Sequence, residues 1–193
     1  MSNTDLIKKR IQESIDAKKV FLAEAENIGK AAEAIVECFK ASGKVLVFGN
    51  GGSAADSQHI SGELVAKFMI ERKALPVIAL TTDTSILTAL SNDYPDGFAR
   101  IFERQVEALA KPGDVLLGLS TSGNSENIIR AFNKGKEIGT INISLTGRDG
   151  GKIKLISDIN INSSSKDTPR IQECHIVAYH AICELVEKEM FKK

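Results

Sequence analysis

From Gly43 onward the sequence repeats one pattern, a short run of β-branched and aliphatic residues followed by a longer stretch with helical periodicity. The runs are Val45-Leu46-Val47-Phe48, Val77-Ile78-Ala79-Leu80, Val115-Leu116-Leu117-Gly118-Leu119, Ile141-Asn142-Ile143-Ser144-Leu145 and Ile159-Asn160-Ile161. Strands that are nearly apolar throughout are those covered on both faces, and successive parallel strands need a right-handed helical crossover between them. The pattern predicts a parallel α/β sandwich. With 193 residues, 42% of them hydrophobic, the chain is long enough to bury roughly 70% of its unfolded surface as a single domain. No internal repeat, low-complexity stretch or linker divides it, so one domain over 1–193 is expected.

Charge narrows the function. Lys plus Arg and Asp plus Glu number 25 each, so the net charge is zero. That removes the positive field on which non-specific binding to nucleic acid or anionic membrane depends. The start, Met1-Ser2-Asn3-Thr4-Asp5, lacks the basic and apolar segments of a secretion signal, and no apolar run approaches the roughly 18 residues of a membrane span. A soluble, cytoplasmic protein is expected, with no nucleic-acid or membrane partner. Cys38, Cys174 and Cys183 contain no CxxC pair, which predicts reduced core thiols and neither a disulfide framework nor a Cys-rich zinc site.

Helices flank the repeating pattern. Leu6, Ile7, Ile11, Ile15, Phe21, Ile28, Ala32, Ile35 and Phe39 recur mostly at three- to four-residue steps, predicting two helices broken near Asn27 and Gly29. Pro169 suits a first helical turn, and no breaker follows it for about six turns. In that last helix Ile171, Cys174, Ile176, Val177, Ala178, Ala181, Ile182, Leu185 and Val186 cover more than half the circumference, whereas a monomer's surface helix shows one dry face. Part of it is expected to meet another subunit. The helical segment 1–42 has no strand partner, and a helical bundle across an oligomer interface is the expected use for it.

Two of the strands run into loops suited to anions. Gly49-Asn50-Gly51-Gly52-Ser53 leads into an Ala-rich helix, an arrangement equally consistent with a simple tight turn. It has neither the GxGxxG spacing of a dinucleotide fold nor the Gly-Lys-Ser/Thr of a P-loop. Ser120-Thr121-Ser122-Gly123-Asn124-Ser125-Glu126 sets four hydroxyls around a glycine at a helix start. It reads as a phosphate cup, the bland alternative being a Ser-rich N-cap. His59 and Glu63, four apart, share a helix face and suit a metal site, an acid/base site or a solvated ion pair. His180 alone on an apolar helix reads, from the residues only, as a core or interface histidine.

The loop 120–125 resembles the phosphate loop of the sugar isomerase (SIS) family. Together with Gly49-Asn50-Gly51-Gly52-Ser53, Ser91-Asn92-Asp93, Leu145-Thr146-Gly147-Arg148-Asp149-Gly150-Gly151 and Arg170-Ile171-Gln172-Glu173-Cys174-His175, it is similar to the phosphoheptose isomerases over nearly the whole chain. The resemblance implies a three-layer sandwich with a five-stranded parallel sheet in flavodoxin-like order, and a tetramer with a helical core. It implies a catalytic pair Glu63 and His180, and one Zn2+ per subunit held by His59, Glu63, Gln172 and His180. The implied substrate contacts are Asn50, Gly51, Gly52, Ser53, Glu63, Asp93, Ser120, Thr121, Ser122, Ser125 and Gln172. The implied reaction is isomerisation of sedoheptulose 7-phosphate in bacterial heptose synthesis.

Gln172 and His180 are eight residues apart, about 12 Å along an unbroken helix, which nearly exhausts the reach of two side chains to one point. Two subunits per site are therefore expected, with His59, Glu63 and one of the final-helix residues drawn from different copies. The sequence departs from the family at Lys67, where an Arg is usual, and at Pro169, where an Asp is common. Lys67 keeps the charge and loses bidentate geometry. Two rival readings share the fold: a non-catalytic relative that binds a replication initiator protein, and a regulatory SIS domain. The first lacks the carboxylate and imidazole that stand here at Glu63 and His180; the second is commonly fused to another domain.

Overall fold

In the computed structural model of the chain, which describes residues 1–192, all five apolar runs are strands: β1 (Val45–Gly49), β2 (Val77–Ala79), β3 (Val115–Ser120), β4 (Ile141–Gly147) and β5 (Ile159–Ser163). They form one parallel sheet in the order β2-β1-β3-β4-β5. β1 and β3 are buried at every position, which is why their sequences show no polar alternation.

Successive side chains of each strand point to opposite faces, and the two faces carry different cores. On one, Val45, Val47, Val115, Leu117, Leu119, Ile143, Leu145 and Ile161 pack against α2 (Ala25–Lys40), α3 (Gly52–Val65) and α9 (Thr168–Met190). On the other, Leu46, Phe48 and Leu116 meet Phe102, Val106, Ile128, Phe132 and Ile153. Those residues belong to the helical segments α6 (Glu103–Leu109), α7 (Glu126–Ile138) and α8 (Gly151–Ile156), with Phe102 just before α6. Two short helices, α4 (Thr84–Asp93) and α5 (Gly97–Arg100), complete that layer after β2. The three-layer α/β sandwich is thus the observed architecture. All three cysteines are free and buried.

The ends of the chain differ from the sequence reading in two ways. The N-terminal break lies at a single 3-10 turn, Leu22–Glu24, between α1 (Asn3–Phe21) and α2, not near Asn27 and Gly29. Gly29 lies inside α2, where a Cβ would meet nothing within 4 Å, so the glycine neither breaks the helix nor serves a close contact. The two helices also play different parts. Ile28, Ala31, Ala32, Ile35, Val36, Cys38 and Phe39 of α2 are buried, so α2 is a layer of the sandwich within its own chain. Only α1 leaves its apolar row open, with Leu6, Ile7, Ile11 and Ile15 exposed.

α9 starts at Thr168 with Pro169 in its first turn, as the sequence predicts. Much of its apolar surface is covered by its own chain, including Ile171, Cys174, Ala178, Tyr179, Ile182, Cys183 and Val186. Ile176, Val177 and Leu185 remain exposed.

Candidate active site

The two anion loops leave the carboxyl edge of adjacent strands. Gly49 of β1 is in register with Leu119 of β3, and the helices that follow, α3 and α7, depart to opposite faces of the sheet. This is the switch point at which open α/β sheets bind ligands. A reciprocal amide pair ties the loops together: Asn50 Nδ2 donates to Asn127 Oδ1 at 2.9 Å, and Asn127 Nδ2 donates to Asn50 Oδ1 at 2.8 Å. The Asn50 side chain thus braces the site. Asn127 has no motif to mark it in the sequence.

In the serine loop, Ser120 Oγ lies 2.9 Å from Ser125 Oγ and 3.4 Å from Ser122 Oγ, with Thr121 between them half-buried. Ser125 is the N-cap residue of α7, yet its hydroxyl makes no capping bond. It turns into the cup instead, which removes the N-cap explanation at that residue. Gly123 holds a positive φ of 66°, and a Cβ there would strike the Gly150 carbonyl. The cup is therefore pressed against the turn that follows β4 by a glycine no other residue can replace. Ser53 is buried in the first turn of α3, just after Gly51, whose φ is +57°.

α3 and α9 lie side by side on one face of the sheet and bring chemistry together along their length. At the loop end, the Gln172 carboxamide rests against Gly52, where an added Cβ would collide with it. Further along, His59 Nε2 is 2.9 Å from Glu63 Oε1, and the His59 and His180 rings meet edge-on with centroids 5.1 Å apart. One ligand atom from each of His59, Glu63 and His180 falls within 4.8 Å of the others, a grouping found among the described residues of this single chain. His180 thus reaches His59 and Glu63 within this one chain, so of the two final-helix residues only Gln172 could be drawn from another copy. The side-by-side packing gives each final-helix residue its own neighbour on α3, which separates Gln172 from His180.

Behind His59 stands a second pair that sequence reasoning missed. The Tyr179 hydroxyl is 3.0 Å from His59 Nδ1 and donates toward Asp56 Oδ1 at 3.4 Å. Burial raises the Tyr179 phenol well above its ordinary value, and the neighbouring Asp56 carboxylate adds to this, so it stays protonated. Burial also raises the Asp56 carboxyl, with the Tyr179 hydrogen bond acting in the other direction. Two imidazoles and a carboxylate are a donor set suited to zinc, and a metal-binding histidine commonly has its far nitrogen held by an outer partner. The residues present fit such an ion, with His59, Glu63 and His180 as the groups able to hold it.

The remaining predicted residues lie apart from this cluster. Asp93 is exposed at the last residue of α4, and its carboxylate accepts from Asn92 Nδ2 at 2.9 Å. Among the described residues no hydrogen bond or ion pair joins it to His59, Glu63 or His180. Lys67 points outward and pairs with Glu71 at 3.3 Å.

The SIS domain family model matches residues 11–147, well over half of the chain. The phosphoheptose isomerase of Clostridium acetobutylicum is 52% identical over 190 residues, covering 97% of this chain and 96% of that protein. The phosphoheptose isomerase of Aquifex aeolicus is 55% identical over 183 residues, covering 94% and 95%. Among solved structures, the phosphoheptose isomerase from Neisseria gonorrhoeae superposes with a TM-score of 0.91 at 43% identity, covering 97% of this chain and 100% of that one. The Francisella tularensis phosphoheptose isomerase gives 0.92 at 38% identity, again covering 97% and 100%. At these identities, over nearly full length on both sides, fold and activity class descend together, and the chain belongs to the phosphoheptose isomerases of the SIS-domain family.

Proposed function

We propose that this isomerase converts D-sedoheptulose 7-phosphate to D-glycero-D-manno-heptose 7-phosphate, the first step toward a nucleotide-activated heptose, in the cytoplasm. The observation that carries the reading is the convergence of Glu63 with His180 beside His59, on a helix whose first turn borders the hydroxyl cup. Ser53 and His59 are separated by about 9 Å along the axis of α3. That separation is comparable to the length of an extended seven-carbon sugar between its phosphate and its carbonyl.

The cup of Ser53, Ser120, Thr121, Ser122 and Ser125 grips the phosphate, aided by the N-termini of α3 and α7. Binding energy gained there, remote from the reacting carbons, holds C1 and C2 against the base. Glu63 removes the proton from C1, and the electron pair forms the C1–C2 double bond of a cis-enediol as O2 gains a proton. His180 moves protons at the oxygens, including ring opening; O1 then loses its proton and Glu63 returns one to C2. Gln172 and the Gly51-Gly52 backbone border the chain between its two ends, and Asp93 accepts from sugar hydroxyls. When bound by His59, Glu63 and His180, one Zn2+ per subunit would supply Lewis-acid polarisation of the carbonyl oxygen; Gln172, the fourth ligand that the resemblance implies, lies apart from these three in its own chain and would have to reach the ion from another copy.

A homotetramer with active sites at subunit interfaces accounts for the open apolar row on α1 and for Ile176, Val177 and Leu185 on α9, since contiguous exposed aliphatic residues mark association surfaces. The functional reading is tested by incubating the chain with sedoheptulose 7-phosphate and following the anomeric protons of the product by NMR. Appearance of the aldoheptose phosphate supports it; recovery of unchanged ketose overturns it.

A further inference from the structure

Beyond the residues of the reaction itself, α3 ends in a buried ion pair whose partners reach both halves of the site. Arg72 Nε donates to Glu187 Oε2 at 3.0 Å, with only 1% and 4% of the two side chains exposed. The rest of the guanidinium caps α3: Nη2 donates to the Glu63 carbonyl at 2.8 Å and Nη1 to the Leu64 carbonyl at 2.7 Å. These are among the last carbonyls of the helix, which have no intrahelical partner of their own. The Glu187 carboxylate in turn accepts from three successive amides, those of Phe68 at 3.0 Å, Met69 at 2.7 Å and Ile70 at 2.9 Å. Glu187 stands seven residues beyond His180 on α9, so the two share a face about 10 Å apart. The segment it holds includes Phe68, whose ring centroid lies 5.7 Å from that of His180.

We propose that Arg72 and Glu187 are positioning residues of the isomerase: their pair fixes the end of α3 that carries Glu63, and the Phe68 wall, relative to His180 on α9. A buried ion pair is weak evidence for stability, because desolvation offsets most of the attraction. What this pair adds is direction. A guanidinium with its planar fork serves two carbonyls of α3 and the α9 carboxylate at once, so α3 cannot slide or rotate against α9 without breaking several charge-assisted hydrogen bonds. Burial acts to raise the Glu187 carboxyl, but its three amide donors and Arg72 bring the net shift below the ordinary value, in keeping with a fixed anion.

The inference rests on the isomerase reading above, and its test separates the two. A matched control exists in Asp114, whose side chain is 3% exposed and which accepts from Lys44 Nζ and from the Lys44 and Lys111 amides. It lies before β3, at the opposite edge of the sheet from the active-site loops. Arg72→Lys, Glu187→Gln and Asp114→Asn are assayed on sedoheptulose 7-phosphate, at a temperature where circular dichroism shows each folded. Arg72→Lys keeps the charge and so the fold if Glu187→Gln does not. The expected result is a kcat lowered 10- to 100-fold in Arg72→Lys and Glu187→Gln, with KM within threefold, because small misplacements of reacting groups act on the chemical step. Asp114→Asn stays within twofold of the parent kcat. A folded Arg72→Lys with parental kcat overturns the inference, as does an equal kcat loss in Asp114→Asn. An inactive parent chain overturns the functional reading, and the inference with it.

Discussion

Tyr179 places its hydroxyl 3.0 Å from Nδ1 of His59 while Nε2 of the same ring faces Glu63 at 2.9 Å. The imidazole thus has a hydrogen-bond partner at each nitrogen, and a neutral ring can donate to only one of them: from Nε2 to Glu63, or from Nδ1 to the Tyr179 hydroxyl. The second tautomer is the one that leaves the Nε2 lone pair free for a metal ion.

Tyr179→Phe removes this outer partner without changing the ring's packing. Loss of such a partner typically costs 10- to 100-fold in metal affinity or activity. The expected outcome is a fall of that size in Zn2+ affinity, measured by competition with a chelating dye, with the melting temperature little changed. Parental zinc affinity in the variant contradicts the assignment of His59 Nε2 as a ligand.

Ser120→Ala and Ser125→Ala test the cup. Each loses a hydroxyl expected to donate to a charged phosphate, a bond worth about 1.5–3 kcal/mol. KM for the phosphosugar is expected to rise roughly 10- to 100-fold, and inhibition by inorganic phosphate should weaken in parallel. A change in kcat alone, with KM and phosphate inhibition intact, places the phosphate elsewhere.

His175 gives the fold a pH dependence separate from catalysis. It is fully buried, its Nε2 donating to the Thr146 carbonyl at 2.9 Å, and burial lowers it from 6.5 to about 4. The unfolded chain thus binds a proton that the folded chain does not between those two values. Stability is present above pH 6.5 and is lost as pH falls toward 4, by about 3 kcal/mol from this one group. His175→Gln should flatten that part of the profile of melting temperature against pH. An unchanged slope in the variant contradicts the assignment.

The exposed row on α1 predicts the response of the assembly. Ile7 and Ile11 are 59% and 57% exposed and four residues apart, so Ile7→Lys/Ile11→Lys places two charges on one face of the helix. Light scattering is expected to show the parent as a tetramer and the variant as a smaller species. A monomeric parent removes the α1 interface from the account.

The strands were legible in the sequence because buried parallel strands carry no polar alternation, and all five apolar runs lie in the sheet. The loops were legible because glycine and hydroxyl residues cluster where two apolar runs end, and both clusters lie at the carboxyl edge of adjacent strands. The N-terminal break lies elsewhere than the pattern suggests: Gly29 looks like a breaker, whereas Leu22–Glu24 carries no glycine or proline to mark its 3-10 turn. Within the site, the i, i+4 spacing of His59 and Glu63 foretold their contact. That His180 joins them in the same chain depends on how α3 lies against α9, which no local pattern encodes. Asn127, Tyr179, Asp56, Arg72 and Glu187 were invisible for the same reason, each acting through a partner distant in sequence.

The central claim is that the Glu63 carboxylate moves the proton between C1 and C2, and it is tested most directly by comparing kcat of the parent chain with that of Glu63→Gln on sedoheptulose 7-phosphate. Substrate binding and melting temperature are measured on the same samples. Removal of a positioned general base lowers the rate by about 10²- to 10⁴-fold, and a loss of that size in a folded variant that still binds the phosphosugar is the expected result. A folded, substrate-binding Glu63→Gln that turns over at the parental rate contradicts the account.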